Sequence, residues 1–207
     1  MTGAEPSRSV EVELKFDVDE ITALPDWSAL PGVVSVGVGE VRELDALYLD
    51  TADHALARAG YALRRRTGGP DAGWHIKGPR DGHGRAETQW PLTGDDTVPD
   101  AVRAAYAGVT EADVSPLARI RNTRVAYALR DADGGLVAEF ADDRVQTRDE
   151  RSGAERGWRE WEVELGPAGP HDDAGRETFF RAVAAAVSAV GGRPAASASK
   201  LARALGF

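Results

Sequence analysis

The sequence predicts an α+β chain that is mainly β, with an antiparallel sheet closed into a barrel and a few helices packed against it. Three observations predict this. Charged residues alternate with their neighbours in Glu11-Val12-Glu13-Leu14-Lys15, Leu63-Arg64-Arg65-Arg66 and Glu160-Trp161-Glu162-Val163-Glu164, and a strand sends successive side chains to opposite faces. Strand-like runs separated by Gly-, Pro- and Asp-rich turns dominate residues 9 to 165. Helical periodicity is confined to short stretches and one longer one near the C-terminus.

The elements follow in order. Residues 10–16 form the first strand, and residues 46–50 fall in a second. Residues 61–67 and 73–77 flank Gly68-Gly69-Pro70-Asp71, a hairpin signal, and the turn from Pro79 to Gly84 leads into a strand over 85–92. A short helix is predicted over 99–106, since Pro99 is acceptable in a first turn, and another begins at Ser115. Strands over 120–129 and 136–142 flank Asp131-Ala132-Asp133-Gly134-Gly135. Residues 146–148 and 158–165 are two more strands joined by a polar loop. That makes about eight or nine strands, enough to close a barrel. The longest helix spans 175–190, where Phe179, Phe180, Val183, Val187 and Val190 share one face; Gly191, Gly192 and Pro194 end it. Residues 199–205 form a final short helix.

An ordinary half-buried strand turns its polar face to solvent. Here that would set concentrated acidic ladders beside basic ones on the surface, and a closed sheet with a polar interior explains the set better. Glu11, Glu13 and Lys15 then share the inner face, as do Glu160, Glu162 and Glu164. Arg64 and Arg66 point inward and Arg65 outward; Arg119 and Arg121 repeat that spacing, with Arg124 out of parity and read as a surface charge. Glu139 and Asp143 share parity, which favours Asp143 over Asp142 as the inward acid. Glu87 shares parity with Arg85 and is read either as a functional carboxylate or as the partner of Arg85. Trp74, Trp90 and Trp161 fall on the outward parity, leaving no obvious aromatic platform inside.

Length and composition set bounds. At 207 residues the chain is read as one domain over residues 5–207. A net charge of −9 argues against a general nucleic-acid binder but not against a focused basic interior that attracts a small anion. The absence of cysteine excludes disulfides and thiolate metal sites. No signal-like or membrane-spanning apolar stretch is visible, so a cytoplasmic protein with no membrane partner is the default. His54, His75, His83 and His171 do not cluster at metal-ligand spacing, and no Ser/His/Asp arrangement or phosphate-cradling glycine loop is present.

Glu11-Val12-Glu13-Leu14-Lys15 resembles the ExExK signature of the CYTH superfamily, the triphosphate tunnel metalloenzymes. The likeness continues in order through Tyr48-Leu49-Asp50-Thr51, Leu63 to Arg66, Lys77-Gly78-Pro79, Arg85-Ala86-Glu87, Arg119-Ile120-Arg121, Glu139 to Asp143, Glu162-Val163-Glu164 and Ser199-Lys200-Leu201. Leu201 departs from the aromatic residue usual after the lysine.

This resemblance implies an eight-stranded tunnel that hydrolyses a linear triphosphate to diphosphate and phosphate, with Mg²⁺ or Mn²⁺ held by Glu11, Glu13, Glu162, Glu164, Glu139 and Asp143. Glu11 and Glu162 are the candidates for a water-activating metal, and with Lys15 they form the implied catalytic set. Lys15, Arg64, Arg66, Lys77, Arg85, Arg119, Arg121 and Lys200 are the implied phosphate binders, arginine as a planar fork and lysine as a point charge. Asp50 is expected to orient an arginine, and a helix start at Ser199 to add backbone donors. Inorganic tripolyphosphate leads as substrate because the inward face is nearly all charged. An adenylate cyclase, a thiamine or nucleoside triphosphatase, and a non-catalytic polyphosphate-binding module are the alternatives. The length leaves no room for the helical polyphosphate-associated domain often fused to such domains. A homodimer is left open.

Overall fold

The computed structural model describes residues 5–81, 84–94 and 96–207, and its organisation begins with one strand that changes partners. Strand β1 (Ser7–Val18) pairs antiparallel with β6 (Gly84–Trp90) over residues 7–12 and with β9 (Glu155–Leu165) over residues 13–18. The other strands run β6, β5 (Gly73–Asp81), β4 (Ala62–Thr67), β3 (Glu40–Asp50), β7 (Ser115–Arg130), β8 (Leu136–Asp149) and β9, each antiparallel to the next. The switch in β1 therefore closes eight strands into a barrel. Two short strands lie off this circuit: β2 (Ser35–Val36) on the end of β7, and β10 (Arg193–Pro194) on the end of β1. Both expected hairpins are present. Gly68, Gly69 and Gly134 have φ of 77°, 74° and 82°, a region that favours glycine, and Asp131 Oδ1 accepts from the backbone N–H of Asp133 and Gly135.

Helices α1 (Ala55–Arg58), α2 (Asp100–Tyr106) and α3 (Asp173–Ala189) cover outward faces. Phe179, Phe180, Val183 and Val187 of α3 bury against Phe16, Phe140, Trp161 and Val163. Leu56 of α1 and Val102 and Tyr106 of α2 bury against Leu63, Trp74, Ile76 and Trp90. The last helix, α4 (Lys200–Leu205), packs Ala204, Leu201 and Leu205 on Ala46, Ala118, Ile120 and Val145, residues of the barrel's inner parity. One end of the interior is therefore apolar.

Three expectations change. The helix expected from Ser115 is the start of β7; Pro116 pairs with Leu49 where the register shifts, a place where a residue without an N–H is tolerated. Strands expected over 136–142 and 146–148 are one strand, β8. In the expected turn after Pro79, β5 continues to Asp81, while Gly82 and His83 lie outside the described residues. The pieces too short to leave a periodic signal, α1, β2 and β10, were not anticipated.

Candidate functional site

Inward residues of seven strands, Tyr48 of β3 among them, and of α4 meet around a cavity of about 660 Å³. β1 contributes Glu11, Glu13 and Lys15; β4 Arg64 and Arg66; β5 Lys77; β6 Arg85; β7 Asn122 and Arg124; β9 Glu162 and Glu164; and α4 Lys200. Two carboxylate groups with different surroundings stand out.

The first is held by cations. Glu162 accepts from Lys15 Nζ, from Lys200 Nζ at 2.7 Å and from Arg124 Nη2 at 2.5 Å. Arg124 also grips Asp143 at 2.8 and 2.7 Å. Lys200 reaches Asp143 at 2.8 Å and Glu160 at 2.5 Å. Burial alone would raise the carboxyl pKa values, but Lys15, Lys200 and Arg124 hold Glu162 well below the usual range, and Lys200 and Arg124 hold Asp143 down. Burial likewise disfavours charge on Lys15, Lys200 and Arg124, yet the carboxylates raise all three pKa values. Asp143, Glu160 and Glu162 each offer an oxygen within 4.8 Å of the other two. Lys200 touches all three, so their negative charge is already matched by side chains.

The second group is short of cations. Glu11 lies 2.5 Å from Lys77 Nζ and Glu13 2.9 Å from Lys15 Nζ. Glu164 stands opposite Glu13 on β1 and Glu139 on β8 and has no ion pair among the described residues. Burial, then the charges of Glu11 and Glu13, push its pKa up to about 7. Burial also raises Glu11, with Lys77 offsetting part of the rise. Glu11 and Glu13 each keep one lysine and Glu164 has none among the described residues, so this half-buried set of hard oxygen donors carries less counter-charge than the first and is of the chemical type that Mg²⁺ or Mn²⁺ takes.

The facing wall is basic. Arg64 donates to Tyr48 Oη and Glu87 Oε1, both at 3.3 Å, and its buried Nε has no partner. Arg66 meets the Asp71 carboxylate, and its Nε is likewise unpartnered. Burial and the neighbouring charges of Arg64 and Arg124 push Arg66 down to about 9; a guanidinium stays charged there, so the shift marks a region of positive potential. Arg85 is anchored at the mouth by the carbonyls of Gly78 (2.7 Å) and Gly60 (3.3 Å).

Several sequence-based placements are corrected. Arg119 and Arg121 lie on the outer face, where Arg119 holds Asp45 at 2.9 and 2.6 Å and Arg121 approaches it at 3.5 Å. Arg124, read as a surface charge, faces the interior instead. Glu139 keeps its expected inward parity, opposite Glu164, and there pairs with Arg42 at 3.1 and 3.2 Å. Glu87 pairs with His75 and Arg64 rather than Arg85. Asp50 does not orient an arginine through its carboxylate; it accepts from the N–H groups of Leu56 and Ala57 and so caps α1. Asp142 points outward to Arg159 and Trp161, leaving Asp143 as the inward acid. Aromatic lining, not anticipated, comes from Tyr48, Tyr61 and Phe207. Ser199 caps α4 by accepting from Ala202 N at 3.1 Å. Among the described residues no helix is long and apolar enough to cross a membrane.

Comparison with known proteins gives concordant matches. The CYTH domain family matches residues 9–185. Two uncharacterized proteins of Mycobacterium tuberculosis, Rv2226 and MT2285, are each 38% identical over 97% of this chain, which spans only 41% of their length. Among solved structures, a candidate adenylate cyclase from Bacillus halodurans is 15% identical with a TM-score of 0.62, over 95% of this chain and 97% of that one. HpAC1 from Hippeastrum, a candidate adenylyl cyclase described as having a dominant triphosphatase activity, is 16% identical with a TM-score of 0.56, over 94% and 95% of the two chains.

Proposed function

The chain belongs to the CYTH domain family, and from that premise we propose that it is a metal-dependent triphosphatase that hydrolyses a linear triphosphate, with inorganic tripolyphosphate as the favoured substrate. The observation that carries this reading is the convergence of Lys15, Arg64, Arg66, Lys77, Arg124 and Lys200 on one cavity that also contains the cation-poor trio Glu11, Glu13 and Glu164. The arginine forks match phosphate oxygens, and the ammonium groups add point charges along the chain. Glu162 touches no phosphate in this scheme; its two oxygens hold Lys15, Lys200 and Arg124 in place against one another. Glu162 and Asp143 are thus better suited to positioning cationic side chains than to binding a metal. Glu11, Glu13 and Glu164 would hold the Mg²⁺ or Mn²⁺ ion, which supplies charge neutralisation and an activated water. Catalysis of phosphoryl transfer is largely positioning and charge stabilisation, which a preset basic wall provides.

A second reading, hydrolysis of an organic triphosphate, is favoured by Tyr61 and Phe207, which line the same cavity and offer ring faces to a base or other heterocycle. One assay separates these readings. Phosphate release is measured from tripolyphosphate, ATP, thiamine triphosphate and pyrophosphate with Mg²⁺ or Mn²⁺ and with excess chelator, and cyclic AMP is measured from ATP. Metal-dependent release fastest from tripolyphosphate is expected. Cyclic AMP as the main product would replace the hydrolase reading with a cyclase, and undiminished turnover in chelator would remove the metal.

A further inference from the structure

His75 lies in the barrel wall with no exposed surface and has no part in the reaction proposed above. Its two ring nitrogens reach two different elements. Nε2 is 2.9 Å from the carbonyl oxygen of Asp71, in the β4–β5 turn, and Nδ1 is 3.0 Å from Glu87 Oε1 on β6. A carbonyl only accepts, so Nε2 donates to it; Gln89 donates to the same oxygen at 3.1 Å. Each partner of the imidazole also holds one arginine of the basic wall. The Asp71 carboxylate meets Arg66, and Glu87 Oε1 lies 3.3 Å from Arg64 Nη2. His75 itself stands opposite Arg64 in the β4–β5 register.

We propose that His75 is a positioning residue that ties the turn holding Arg66 to the carboxylate holding Arg64, so that both guanidinium forks are preset at the spacing a linear phosphate chain requires. The proposal rests on the triphosphate reading of the cavity. Two neighbouring guanidinium groups repel each other, and a long arginine side chain loses conformational freedom when it is fixed. Without a rigid link, ligand binding would have to order both forks at that moment; with it, the cost is met in folding. The imidazole can serve as that link because it is planar and fully buried, donating from Nε2 to Asp71 and, when protonated, from Nδ1 to Glu87, since both partners only accept.

Binding of tripolyphosphate to the metal-free protein, measured by calorimetry in chelator, tests the idea without turnover. His75→Ala should weaken binding by roughly ten- to a hundred-fold, the scale of a small misplacement of binding groups. The same change made in an Arg64→Ala background should add much less than it does alone, because one of the two forks it positions is already gone. His75→Asn retains a polar atom near Nδ1 and His75→Gln one near Nε2, so each should give an intermediate loss, which keeps the test open if His75→Ala fails to fold. Wild-type affinity in all three variants, or an equal loss with and without Arg64, would overturn the positioning role. Failure of the wild-type protein to bind any triphosphate would instead overturn the functional reading on which the role rests.

Discussion

Arg124 and Asp143 face each other across β7 and β8 inside the barrel, joined by two hydrogen bonds of 2.8 and 2.7 Å, while Arg119 and Arg121 on the same strand point outward. Three residues along a strand reverse the face, so Arg121 and Arg124 cannot share one. Arg124 also reaches Glu162, which makes it part of the cationic set that surrounds that carboxylate.

Arg124→Gln should therefore lower triphosphatase kcat/KM about ten- to a hundred-fold, the scale of a charge-assisted contact of roughly 1.5–3 kcal/mol. Arg119→Ala and Arg121→Ala should stay near wild type, since exposed ion pairs contribute about 0–1 kcal/mol. Side-by-side kinetics of the three variants checks this. A larger loss at Arg119 or Arg121 would mean that the outer face takes part in the chemistry.

The contrast also shows what the sequence made legible. Period-two alternation alone separates Arg64 and Arg66 from Arg65 and favours Asp143 over Asp142, because Arg64 shares its face with Arg66 and Asp143 shares its face with Glu139. β7 breaks that rule. Its inner face at one end is Ala118 and Ile120, buried against α4, so the polar-inside assumption selects the wrong parity there. The helix that fills this end comes from the far C-terminus, and nothing local to β7 signals it. The two-way bonding of His75 is equally invisible in sequence, since it depends on a turn and a third strand meeting in space. Even so, Asn122 and Arg124 sit at inward parity two residues apart, the same spacing as Arg64 and Arg66, and that was the available signal.

Arg64, Arg65 and Arg66 give a prediction internal to one strand. Arg64 and Arg66 line the cavity, while Arg65 pairs outside with Asp96 at 2.7 Å. Alanine at position 64 or 66 should reduce turnover or binding about ten- to a hundred-fold, corresponding to roughly 1.5–3 kcal/mol. Arg65→Ala should change stability by no more than about 0.5 kcal/mol and leave kinetics intact. Equal losses at all three positions would contradict the orientation of β4.

Arg159 separates stability from activity. It grips Asp142 at 2.8 and 2.9 Å on the outer side and donates to the carbonyls of Asp19, Glu20 and Thr22, tying that loop to the barrel. Arg159→Ala leaves the buried Asp142 carboxylate with only the Trp161 indole N–H at 3.0 Å and the longer contact to Arg144 at 3.9 Å. Removing one partner of a buried pair typically costs about 3–5 kcal/mol. Denaturant unfolding should register a loss of that order, while turnover per folded molecule stays unchanged below the new midpoint.

Glu164 makes the metal-free protein sensitive to pH in a definite direction. Its carboxyl is raised from an ordinary 4.5 to about 7, first by burial and then by Glu11 and Glu13. Between those values the folded state binds more protons at this group than the unfolded state, so its contribution to stability is full below about pH 4.5 and is lost as the pH rises through 7. The loss is at most about 3 kcal/mol. In Glu164→Gln the position stays neutral, so thermal unfolding in chelator should lose this downward slope between pH 5 and 8. A divalent cation bound beside Glu164 reverses the balance, because it favours the ionised carboxylate and must displace the proton to bind. Apparent Mg²⁺ or Mn²⁺ affinity should then fall as the pH drops below about 7, by up to about tenfold per unit for one displaced proton, and level off above it. Titrations of cation binding at several pH values, wild type against Glu164→Gln, decide the matter. A wild-type affinity that does not change between pH 5.5 and 7.5 would place the cation away from Glu164.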